Sequence, residues 1–171
     1  RATCVLFGDG AGAAVIEAGG DSPLAVELST APDVETLRVP GLVGTSPFKA
    51  SVDSESVLSM NGRRVFKFGV NAICDTVHKL ASDAGISVED IDHFVFHQAN
   101  ERILSQAVKR LGVPGERVVR TLRETGNISS ACIPFALDRL ARTNALNAGD
   151  TIALVGFGAG LDIGGYLLRW K

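Results

Sequence analysis

The stretch FVFHQAN, residues 94–100, ends an apolar run on a histidine and two amides. A histidine can donate, accept or carry a proton near neutral pH. The carboxyl ends of strands are where open α/β sheets hold ligands. A single histidine in such a place is more often structural than catalytic, so His97 alone carries little. A second polar island adds weight: Thr125-Gly126-Asn127-Ile128-Ser129-Ser130-Ala131 stands just before a helical pattern. A helix N-cap accounts for one of Asn127, Ser129 or Ser130, but not for all three. Gly126 would set the Asn127 amide on a tight turn. A third island, GFGAG at residues 156–160, follows the strand-like TIALV. Glycine-rich backbone of that kind can present an unhindered N–H to a developing oxyanion. The other two histidines do not rise above structural roles: His78 sits in a helical pattern among charges, and His93 starts a strand.

These residues need elements to carry them. Alternation predicts strands over Thr3–Phe7, Ala13–Glu17 and Leu24–Thr30. Residues 31–54, with three prolines and two glycines, read as a long surface excursion, and such loops usually bind something. Arg63–Ala84 is the clearest helix, with Val65, Phe66, Gly69, Val70, Ile73, Val77 and Leu80 on one face and Gly85 as its cap. Ser87-Val88-Glu89-Asp90 resembles a capping box. The strand His93–Phe96 follows. A helix over Glu101–Leu111 takes Asn100 as N-cap and ends at Gly112. Another over Ser130–Leu146 tolerates Pro134 in its first turns. Strands at Thr151–Val155 and Gly165–Trp170 close the chain. This order implies an α/β fold with a mixed five-stranded sheet covered by helices.

Gly8-Asp9-Gly10-Ala11-Gly12 imitates a dinucleotide loop, but AAVIEAGG after it is no helix start, and the pyrophosphate of a dinucleotide needs one. The expected role of these glycines is a tight hairpin with positive φ. The 171 residues are 46% hydrophobic and 21% charged with a net charge of −2. That composition allows one packed core and gives no pull toward nucleic acid or anionic membrane. Cys4, Cys74 and Cys132 are odd in number and widely spaced, with no zinc pattern, so no metal site is expected and a reducing, cytoplasmic setting is. No apolar run reaches membrane-spanning length. Arg1-Ala2 leads straight into a strand pattern, so the chain is expected to be part of a larger one.

HQAN (97–100), TGNISSA (125–131) and GFGAG (156–160), with FGDGAGAAVIE (7–17) and MNGRRVFKF (60–68), resemble in order the C-terminal half of the ketoacyl-acyl-carrier-protein synthase III family. The resemblance implies that residues 1–171 are a C-terminal thiolase-like domain. In that family a Cys-His-Asn set performs a decarboxylative Claisen condensation of an acyl-CoA primer with malonyl-carrier protein, without a cofactor. It implies His97 and Asn127 as the catalytic pair. Both are uncharged donors suited to an enolate oxygen. It implies the Ala159 backbone N–H for the tetrahedral oxyanion, and Asn100 for the pantetheine arm of CoA or carrier protein. Ala159 replaces a usual glycine, and Leu161-Asp162-Ile163 departs from the common bacterial pattern, which bears on acyl preference.

The family's nucleophilic cysteine lies in an N-terminal half that this chain lacks. The three cysteines here read as small core residues, although Cys132 starts a helix, where a thiolate is favoured. The chain then holds half of an active site, completed by the N-terminal half carrying the cysteine, within an expected homodimer. Arg102, Lys109 and Arg110 share a helix face, joined by Lys67. The resemblance implies that this face docks the acidic acyl carrier protein. Two alternatives stay open: a related acyltransferase of secondary metabolism, and a non-catalytic partner subunit.

Overall fold

The structure is a computed structural model that describes residues 5–20, 22–38, 58–143 and 145–171. The strands are β1 (Ala25–Thr30), β2 (Leu37–Arg38), β3 (Ser59–Met60), β4 (His93–Phe96), β5 (Thr151–Gly158) and β6 (Asp162–Arg169). The helices are α1 (Gly62–Ala84), α2 (Glu101–Leu111), the single turn α3 (Leu122–Thr125) and α4 (Cys132–Arg142). Among the described residues the sheet has four strands, in the order β1-β6-β5-β4, and not five. β4 and β5 are parallel, and the other two pairs are antiparallel. β2 and β3 form a separate two-stranded ribbon.

The strand count falls short because of the glycine-rich N-terminal segment. Thr3 and Cys4 lie outside the described residues. Phe7 makes one isolated parallel bridge to Asn127, and residues 8–17 are irregular. Val15 and Ile16 are 91% and 93% exposed. Alternating apolar residues form a strand only against a partner that takes up their N–H and C=O groups. Among the described residues no strand or bridge pairs with 13–17. Of the expected excursion at 31–54, residues 39–54 lie outside the described residues, while Leu37 and Arg38 pair with Met60 and Ser59.

Helices cover both sheet faces, so the strands read as continuous apolar runs. Phe94, Phe96, Ala153, Val155 and Leu167 face α1 and α2. Their neighbours Val95, Ile152, Leu154 and Leu168 pack with Ala136, Leu137 and Leu140 of α4. α1 begins at Asn61, whose side chain accepts from the Arg64 N–H, and ends at Gly85 with φ 68°. Ser87 and Asp90 form the expected capping box. α2 is capped by Asn100 and closed by Gly112 with φ 71°. α4 is shorter than the sequence predicts: residues 129–131 form a 3₁₀ turn, and the helix stops at Arg142. Leu146 still packs on the α4 side of the sheet, from beyond the helix. No helix among the described residues is long and apolar enough to cross a membrane.

Candidate active site

The end of β4 shows how one short run delivers three polar side chains to three different tasks. The His97 N–H still donates to Val155 O, 2.8 Å, as the last rung beside β5. Side chains alternate across a strand, so His97 falls on the face of Val95, toward α4. There its Nδ1 lies 2.9 Å from the Sγ of Cys132, the first residue of α4. Gln98 is fully buried. Its Nε2 donates to Phe96 O (2.9 Å) and Val119 O (3.1 Å), while its Oε1 accepts from the Thr121 N–H (3.0 Å). Asn100 Oδ1 accepts from the Arg102 N–H, 2.8 Å, and so starts α2.

Asn127 is seated from two sides. Its N–H donates to Leu6 O at 2.9 Å, and its C=O accepts from the Gly8 N–H at 3.1 Å. Its side-chain Oδ1 accepts from the Ser129 N–H at 2.9 Å. With the oxygen held, the Nδ2 amide hydrogens have no partner among the described residues. Gly126, at φ 64°, makes the turn in front of it, as the sequence predicts.

The glycines of GDGAG do something other than turn. Gly8, Gly10 and Gly12 are not among the residues with positive φ. A Cβ on Gly8 would land on the Thr125 carbonyl oxygen, one on Gly10 would sit 2.7 Å from Ile128 Cδ1, and one on Gly12 would sit 2.6 Å from Pro134 Cγ. Spaced by two, these glycines let the segment lie flat on residues 125–134, which carry Asn127. Their purpose is close approach, and the expected hairpin turn is absent.

His97, Asn127, Asn100, Arg102, Lys109 and Ala159 all line one cavity of about 1170 Å³. Phe157 lines it too. Its ring meets that of His97 edge-on (5.1 Å, 82°) and that of Phe68 likewise (5.8 Å, 87°). Gly69 on α1 makes room for it, because a Cβ there would lie 2.8 Å from the Phe157 ring. This apolar packing buries His97 and pushes its pKa down to about 4, since burial penalises the charged form. The imidazole is therefore neutral at neutral pH. Burial also pushes the Cys132 thiol up, against the opposing pull of the Gln98, Cys132 and Ile133 N–H groups.

The basic residues divide. Arg102 and Lys109 are exposed at the cavity, together with Arg63 of α1, which the sequence did not single out. Lys67 is exposed one turn further along α1, outside the cavity lining. Arg110 turns back to α1, with its guanidinium 2.6 Å from Asn71 Oδ1 and 3.6 Å from Asp75 Oδ1. Cys74 is a buried core thiol against Ala107 O. Cys132 is equally buried, but its contact with His97 was not legible, because spacing does not reveal which sheet face a doubly covered strand end serves. His93 Nε2 lies 3.2 Å from Asp150, away from the cavity.

Residues 81–170 match the family described as 3-oxoacyl-[acyl-carrier-protein (ACP)] synthase III C terminal, and residues 1–32 match 3-oxoacyl-[ACP] synthase III. The beta-ketoacyl-[acyl-carrier-protein] synthase III of Clostridium novyi is 41% identical over 174 residues, covering 100% of this chain and 54% of that protein. The chain thus spans about half the length of the curated relatives it matches. The solved synthase III of Thermus thermophilus superposes with a TM-score of 0.83 at 36% identity, over 100% of this chain and 54% of that one. The priming beta-ketosynthase of the R1128 polyketide pathway superposes at 0.73 with 35% identity, over 85% and 44%. The fold is accordingly thiolase-like, and the chain belongs to the 3-oxoacyl-[acyl-carrier-protein] synthase III family.

Proposed function

We propose that this chain is the enolate-stabilising half of a beta-ketoacyl-carrier-protein synthase III, condensing an acyl-CoA primer with a malonyl thioester on acyl carrier protein. The observation that carries the reading is one cavity lined by two uncharged donors, His97 and Asn127. The first is neutral through burial, and the second has its oxygen tied back so that its amide hydrogens are left over. Loss of CO2 from the malonyl group leaves its electron pair on the α-carbon and, by resonance, on the thioester oxygen. Fixed N–H donors lower the energy of that enolate more than they favour the neutral thioester. The enolate carbon then attacks an acyl group held as a thioester on a cysteine. The tetrahedral oxygen is met by backbone N–H such as that of Ala159, and the cysteine leaves as thiolate.

In this reading the nucleophilic cysteine comes from a preceding half of the protein, two copies form a homodimer, no cofactor takes part, and the enzyme works in the cytoplasm. Asn100 contacts the pantetheine arm. Arg102 and Lys109 at the mouth, with Lys67 and Arg110 nearby, receive the acidic carrier protein. A priming role in polyketide assembly is the second reading, favoured by the likeness to the R1128 priming ketosynthase. It uses the same chemistry, and a panel of acyl-CoA primers of different length and branching distinguishes the two.

The test is CO2 release from malonyl-carrier protein by the full-length protein. His97→Ala and Asn127→Ala should each lower kcat by about 10²–10³, the usual cost of one oxyanion donor. Unchanged CO2 release in both variants would remove these residues from the reaction.

A further inference from the structure

A neutral imidazole carries one proton and can place it on either nitrogen. For His97 to serve as a donor to the cavity, that proton must sit on the nitrogen that faces it. Nδ1 faces Cys132 Sγ at 2.9 Å. Nε2 has no protein partner among the described residues, and the ring lines the cavity.

The surroundings of the sulfur decide the direction of the contact. The Gln98 N–H points at Sγ from 3.4 Å, while the Cys132 N–H is spent on Ser129 O. The sulfur thus already accepts from one backbone donor. Its own hydrogen needs an acceptor, and among the described residues Nδ1 is the one within reach. The reverse arrangement, Nδ1–H donating to sulfur, would put a second donor on the sulfur and leave the S–H buried without an acceptor among the described residues. Burial of both groups also disfavours a thiolate–imidazolium pair, which would put two charges in a site that raises one pKa and lowers the other.

We infer that Cys132 is a positioning residue whose thiol donates to His97 Nδ1 and thereby holds the histidine as the Nε2–H tautomer, with its N–H aimed into the cavity. Its buried thiol is a hydrogen-bond donor and not a second nucleophile. The inference rests on the condensation reading only for the use made of that N–H.

The experiment labels the histidines of the full-length protein with ¹⁵N and reads the two-bond ¹H–¹⁵N pattern of His97 near neutral pH. Wild type should show a protonated Nε2 and a bare Nδ1. Cys132→Ser keeps an O–H donor and should keep that pattern and the turnover. Cys132→Ala should show mixed tautomers, with kcat for CO2 release lowered about two- to tenfold, the worth of one hydrogen bond, and KM unchanged. A protonated Nδ1 in wild type would overturn the inference. So would a Cys132→Ala variant with wild-type tautomer and kcat, or an acyl group found on Cys132 by peptide mass spectrometry after incubation with acyl-CoA. The expected tautomer pattern without CO2 release would support the role of Cys132 and count against condensation.

Discussion

Replacing Gln98 with methionine should cost about 3 kcal/mol of stability and, on the proposed condensation, slow turnover from behind the reacting groups. Its side chain is fully buried and makes three hydrogen bonds, two as donor and one as acceptor. A typical net contribution is about 1 kcal/mol per bond, and a buried partner left unpaired adds its own desolvation cost. Methionine has nearly the same shape, so a cavity contributes little and the loss reports the polar clamp. The Thr121 N–H is the group most exposed to this loss, since Gln98 Oε1 accepts from it at 3.0 Å. The clamp ties the end of β4 to residues 119–121, which lead through α3 to Asn127. Slackening it lets His97 and Asn127 drift relative to each other, and a misplacement of about 1 Å can cost 10²-fold in rate. Urea unfolding of the full-length protein gives the stability change from the midpoint at constant slope. Gln98→Glu separates the donors from the shape. Its introduced carboxyl would face two carbonyl oxygens, so burial and those oxygens raise its pKa in the folded state. The folded state then binds the proton more tightly than the unfolded chain, so the deficit against wild type is smallest at acid pH. It grows as pH rises through the folded pKa. A loss below about 0.5 kcal/mol for Gln98→Met, the range of an ordinary surface change, or a Gln98→Glu deficit that ignores pH, would refute the reasoning.

Three further outcomes follow from the geometry. Gly8→Ala should destabilise by about 1–3 kcal/mol and depress kcat, because the new Cβ meets Thr125 O and lifts the segment that seats Asn127. Gly20→Ala, with open space around it, is the control, and equal effects for the two in thermal unfolding would be contrary. The unfolded chain takes up a proton at His97 near pH 6.5, whereas the folded protein does so only near 4. Stability is therefore untouched by this group above about pH 7 and falls by about 3 kcal/mol as pH drops from 6.5 to 4. His97→Gln should flatten that portion of the stability–pH curve, and an unaltered curve would speak against burial as the cause. On the proposed carrier-protein docking, replacing Arg102 and Lys109 together with Glu should raise KM for malonyl-carrier protein about tenfold through lost steering. It should spare the acyl-CoA step, and equal losses for both substrates would sink the docking role.

The helices and most of the sheet were legible because their signals are local. Asn100 before α2, and Gly85 and Gly112 after α1 and α2, act through the backbone of their own turn, and spacing alone reveals them. The polar residues of FVFHQAN were legible as unusual but not as to task. A strand covered on both faces gives a continuous apolar run, so the sequence of β4 does not say which side any residue takes. Only pairing with β5 shows that Phe94 and Phe96 serve α1 and α2 while Val95 and His97 serve α4. The contact of His97 with Cys132 depends on that parity, as does the exclusion of Cys132 from the group of inert core thiols.

The glycine motif failed for a related reason. Glycine has two uses, positive φ and close approach, and sequence cannot tell them apart without the neighbour. GDGAG and GFGAG look alike, yet Gly160 adopts φ 140° while Gly8, Gly10 and Gly12 have no positive φ. Both motifs have a period of two, so the spacing does not decide between the uses; on the extended first segment it places all three glycines on one side, pressed against another chain segment. That other segment is the 125–134 stretch, so the first motif of the chain acts on the position of Asn127 more than a hundred residues away. The apolar residues just beyond it, Val15 and Ile16, remain exposed. The same segment thus combines one contact essential to the site with a strand pattern whose partner is not among the described residues.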